Sequence, residues 1–150
     1  MILVWGPGES DELSYKKRLD IRDVLTRRFS NSEIYFSEDR ELRGLTEGKL
    51  NLLQDEELLH AWGADIVFAL DTAKGVGEEI AHFSSFPELA KKLVILSHDR
   101  FRGRPSFPAS LRQNLAIEWY SDEDFESCRI AKEICVKHVN TIALRQYCRS

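Results

Sequence analysis

The chain is short of most features that mark a specialised protein. Its 150 residues hold three cysteines, Cys128, Cys135 and Cys148, all in the last segment, and their spacing matches no zinc pattern. The odd count, together with an opening Met1–Gly6 too short and uncharged for a signal sequence, predicts a reducing cytoplasm. No apolar stretch approaches the length that crosses a bilayer, so no membrane partner is expected. Positive charge is not in surplus: the net charge of −4 argues against nonspecific duplex binding, which needs cations to displace counterions from phosphates. The four histidines, His60, His82, His98 and His138, are scattered and form no pair at metal spacing. No metal and no resident cofactor are therefore expected. There is no Gly-Lys-Ser/Thr phosphate loop, no serine elbow and no Cys–His pair suited to nucleophilic chemistry. Internal repeats, low-complexity tracts and linkers are lacking too, so residues 1–150 are read as one domain.

What is present is an ordinary globular composition, 43% hydrophobic and 31% charged, arranged as strand and helix in regular alternation. The runs predict strands at Ile2–Trp5, Ile34–Phe36, Asp65–Leu70, Leu93–Leu96 and Leu115–Trp119. Between them, Ser10 or Asp11 can cap a first helix with Leu13, Leu19 or Ile21, Val24, Leu25 and Phe29 inside. Its polar face carries Lys16, Lys17, Arg18, Asp20, Arg22 and Asp23. Residues 40–49 read as a loop, and Leu50–Trp62 as a helix ended by Gly63. After the third strand a loop, Thr72–Gly77, precedes a helix starting at Glu78 and Glu79 and running to about Ser84. Residues 97–110 read as a long Arg-rich loop. A last helix starts at Asp122 or Asp124, with Cys128 and Cys135 sharing its apolar face. Five such alternations predict an α/β fold: a doubly wound five-stranded parallel sheet of order 2-1-3-4-5 with helices on both faces.

In such a sheet ligands lie outside the carboxyl ends of the strands, where the order reverses. That places Gly6, Gly8 and Ser10, after strand one, opposite Asp71, Gly75, Gly77 and Glu79, after strand three. Glycines permit close backbone approach. A glutamate in the first turn of a helix is held ionised by the dipole and suits a nucleophile or an electrostatic stabiliser. The amides of the first helix are candidates for a phosphate, although Gly6–Asp11 alone also reads as a plain turn. Glu38 and Asp39 end strand two on the same side, and His98 follows strand four. Asp55, Glu56 and Glu57 precede strand three, where a carboxylate can reach a ribose hydroxyl or form an ordinary solvated face. Arg100, Arg102 and Arg104 either close over a ligand or are merely solvated.

The segment Ala64–Phe83, ADIVFALDTAKGVGEEIAHF, resembles the corresponding stretch of nucleoside 2-deoxyribosyltransferases and deoxynucleoside-monophosphate N-glycosidases. It is also similar to the TIR-like branch of NAD-cleaving domains. The likeness runs from strand one through strand four, and its specific part is an Ala-Asp pair, an apolar strand and Gly-x-Gly-x-Glu. The resemblance implies cleavage or transfer at an N-glycosidic bond of a nucleoside, a nucleotide or NAD. In it Glu79 attacks or stabilises the anomeric carbon, and Asp55 contacts the sugar or assists the leaving base, with Glu56 and Glu57 as alternatives because the spacing to Asp65 is long. Gly6, Gly8, Ser10, Tyr15, Asp71, Gly75 and Gly77 would bind substrate. Glu9 departs from the pattern and would repel a monophosphate. A homodimer is implied as well. The alternative implication is a nucleotide-sensing or protein-interaction module of a signalling or defence system that binds without turnover.

Overall fold

The computed structural model describes residues 1–46, 53–71, 74–103 and 114–149. Strand β1 (Ile2–Trp5) is buried along its whole length, as a strand covered on both faces must be. The chain then turns at Gly8, whose carbonyl accepts the Asp11 amide at 3.0 Å, and enters α1 (Glu12–Arg28). Of the two caps expected from sequence, Asp11 is the one used: its carboxylate accepts the Ser14 amide at 3.2 Å and the Ser14 hydroxyl at 2.9 Å. Strand β2 (Ile34–Tyr35) follows, then a short helix α2 (Arg40–Gly44) where the sequence suggested only loop. Leu42 supplies the reason: it is fully buried and anchors the turn.

Helix α3 (Leu53–Gly63) leads into β3 (Ile66–Asp71), α4 (Lys74–Ser84), the single turn α5 (Pro87–Ala90) and β4 (Leu93–His98). Strand β5 (Ala116–Tyr120) closes the sheet. The order is β2-β1-β3-β4-β5, all parallel, as the alternation predicted. Register is set by inward pairs such as Val4 with Phe68 and Phe68 with Val94. Alternating strand residues feed two cores. One joins Val4, Phe68, Leu70 and Leu96 to Ile21 and Leu25 of α1 and to Ile134 and Val139 near the carboxyl end. The other joins Leu3, Trp5, Val67 and Ala69 to Ala61, Ile80 and Phe83.

Three local expectations are corrected. The last helix is not continuous: α6 (Asp122–Glu126) ends before Cys128, whose φ of 62° breaks the spiral. A π-helical stretch at Ile130–Cys135 then runs into α7 (Val136–Tyr147). Cys135 is buried as expected, but Cys128 is only partly so, with its sulfur beside Lys17 and Asp20. On α1, Leu13 is 70% exposed and Arg18 is 0% exposed, the reverse of the predicted faces. Ser14, Arg18, Ile21 and Leu25 form the inner stripe, and Arg18 is admitted because its charge is matched.

Candidate functional site

The carboxyl end of β1 is organised by the buried Arg18 guanidinium. Its Nη1 donates to the Pro7 carbonyl at 3.0 Å and to Glu38 Oε1 at 2.8 Å. Its Nη2 donates to the Val4 carbonyl at 3.1 Å and to Glu38 Oε2 at 2.8 Å. This two-pronged pairing fixes both the turn after β1 and the segment after β2. The plane also lies over the Phe36 ring, 4.2 Å from its centroid. Gly6 is required by this arrangement: a β-carbon there would come within 3.1 Å of Arg18 Cδ and 3.2 Å of Leu70 Cβ. Burial alone would raise the Glu38 carboxyl, but the hydrogen bonds and charge of Arg18 overcome that and hold it below the usual range.

Two further carboxyls answer to the same group of charges. Glu79, on α4, is pushed above the ordinary carboxylate range by loss of hydration, and the Arg18 charge draws it back in part. Glu57, on α3, is raised first by burial and next by the negative charge of Glu79, with Arg43 opposing. Arg18, Glu38, Glu57 and Glu79 thus form one interacting set drawn from α1, α3, α4 and the end of β2. Glu57, one of the alternatives left open by the sequence, is the α3 carboxylate coupled to Glu79; Asp55 lies exposed in the first turn of that helix.

The dipole argument for Glu79 is corrected. Helix α4 starts at Lys74, so Glu79 lies beyond the first turn, which carries no acidic residue. Its side chain is exposed, and its carboxyl is raised rather than held ionised by a helix end. Gly75 and Gly77 belong to the helix and not to a loop, and Thr72 and Ala73 lie outside the described residues. Ile80 is buried beside Glu79, and Phe83, one turn on, meets the Trp5 ring at 4.5 Å.

Asp71 is buried at the end of β3 and accepts the Ser97 hydroxyl of the neighbouring strand at 3.1 Å. Gly8 and Ser10 are exposed in the turn, and among the described residues beyond its chain neighbours no atom lies within 4 Å of a β-carbon built at Gly8. Tyr15 is half-buried, edge-on to Phe36 with ring centroids 6.0 Å apart. At the start of α1 the Ser14 amide is taken by Asp11, while Glu9 and Glu12 are exposed close by in sequence. These carboxylates oppose a phosphate at this helix end. Of the Arg-rich segment, Arg102 pairs with Asp99 at 2.7 Å, and Arg104 lies outside the described residues.

Arg18 is the site residue that the sequence reading missed. An arginine amid Lys16, Lys17 and Asp20 reads as surface, and only the spacing of four from Ser14 and three from Ile21 signals the inner stripe. No protein-family model matches the chain, and no curated protein matches it.

Proposed function

We propose that the chain cleaves or transfers across the N-glycosidic bond of a nucleoside, a nucleotide or NAD. What supports this reading is a pair of carboxyls raised by burial, Glu57 and Glu79, that answer to the charges of the Arg18–Glu38 pair, with the charge of Glu79 adding to the rise at Glu57. Glycosidic cleavage uses two acids in different states, one ionised and one protonated. Burial raises both carboxyls; Arg18 draws Glu79 back towards its ionised form in part, whereas the charge of Glu79 adds to the rise at Glu57. In the reaction a Glu79 oxygen bonds to the anomeric carbon as the carbon–nitrogen bond breaks. The bonding pair leaves with the base, which takes its proton from Glu57. Water, or a second base, then displaces Glu79 and returns the proton to Glu57. Free thiols at Cys128, Cys135 and Cys148 fit the expected reducing cytoplasm, and a homodimer belongs to the same reading.

The exposure of Glu79 favours a second reading, a nucleotide-sensing or interaction module without turnover. Incubation with a panel of nucleosides, deoxynucleotides and NAD separates the two. Free base or nicotinamide detected by chromatography supports cleavage. Calorimetric binding without release supports the sensor, and neither result contradicts both.

A further inference from the structure

A cleft of about 340 Å³ opens at the carboxyl ends of β4 and β5 against the start of α1. It is of a size that suits a small molecule. Its aromatic residues Tyr120 and Phe125 belong to the core on the α1 side of the sheet, whereas Ile80 and Phe83, the neighbours of Glu79 on α4, belong to the other core.

Tyr120 lines the cleft and is 1% exposed; its hydroxyl has no hydrogen-bond partner among the described residues. Phe125 stacks on it at 5.7 Å, and Leu13 adds an apolar side. Among the described residues the charge around this apolar body leans to one sign: Asp11, Asp122 and Glu126 line the cleft with one guanidinium, that of Arg100. His98 does not redress the balance. Its Nδ1 accepts the Arg100 amide at 3.1 Å, so its proton is on Nε2, which donates to Asp122 at 2.8 Å. The ring serves to hold the Asp122 carboxylate at the rim. At the floor, burial chiefly raises the Tyr120 hydroxyl; Arg100 opposes it, and the carboxylates of Asp71, Asp122 and Asp11 add to the rise. An inorganic cation does not fit, since no group of His, Cys, Asp and Glu suited to a metal occurs among the described residues.

We infer that this cleft binds a small organic cation with an apolar or aromatic body, its charged nitrogen facing Asp122 and Glu126 and donating to the Tyr120 hydroxyl oxygen. The test is calorimetry on the full chain with three probes of one shape: benzylammonium, neutral benzyl alcohol and anionic benzoate. Benzylammonium is expected to bind about tenfold or more tightly than either, the scale of two partly screened charge contacts. In the double variant Asp122→Asn/Glu126→Gln that preference is expected to vanish, with the circular dichroism spectrum unchanged. Asparagine still accepts the His98 proton, so the rim is kept. Equal affinity for the neutral probe, no binding of benzylammonium, or a preference that survives in the double variant overturns the inference.

Discussion

Arg18 shows how one side chain can organise the end of a sheet. It contributes no exposed surface and makes four hydrogen bonds to two segments that are far apart in sequence, Val4–Pro7 and Glu38. Removing one partner of such a pair leaves the other with an uncompensated charge. Arg18→Met is expected to destabilise the fold by about 3 kcal/mol, read as a lower urea midpoint. Gly6→Ala drives a methyl against Arg18 and Leu70 and is expected to cost about 1–3 kcal/mol by the same measurement. Gly8→Ala, with open space around it, serves as the control.

Glu57 and Glu79 bind their protons more tightly folded than unfolded. The stability they contribute is complete below the unfolded glutamate value of about 4.3 and is lost as pH rises through their raised folded values. Glu38 runs the other way: its contribution is present above its unfolded value and is lost as pH falls through its lowered folded one. Glu57→Gln cannot ionise, so its urea midpoint is expected to gain on that of wild type between pH 4 and pH 7. A difference constant across that range would contradict the assignment.

At the scale of elements, the strands were legible because buried parallel strands are continuous apolar runs, as in Ile66–Leu70. Helix ends were less so. Helix α4 takes in Gly75 and Gly77, residues that in isolation favour a turn, because the buried Ile80 and Phe83 hold its inner face on the sheet. The break at Cys128 escaped notice because its periodicity continues on both sides, at Phe125 and at Ala131. The short α6 depends on a reciprocal cap: Ser121 accepts the Asp124 amide at 3.2 Å, and Asp124 accepts the Ser121 amide at 2.9 Å. Ser121→Ala is expected to cost about 1 kcal/mol in urea unfolding. Cys128→Gly relieves a left-handed conformation and is expected to raise stability by about 0.5–1 kcal/mol.

At the scale of the whole molecule, strand order followed from alternation, and the order fixed which loops meet. The sequence therefore placed Gly6, Asp71 and Glu79 at the same end of the sheet. It did not reveal that Arg18 and Glu38 fill the space beneath the first turn, nor which of three neighbouring acids on α3 faces Glu79. Those depend on the rotation of α1 and α3 about their axes, which single-residue patterns fix poorly when charged residues lie inside. The His98–Asp122 contact at 2.8 Å likewise joins residues brought together only by the pairing of β4 with β5.

In the proposed function Glu79 is the group that meets the sugar. The most direct measurement is the rate of base release by Glu79→Gln beside wild type, on whichever member of the nucleoside, deoxynucleotide and NAD panel the wild type cleaves. A fall of about a thousandfold or more, with unchanged urea unfolding cooperativity, is the predicted result. Release by Glu79→Gln at the wild-type rate, or no release by the wild-type protein from any of the panel, would contradict it.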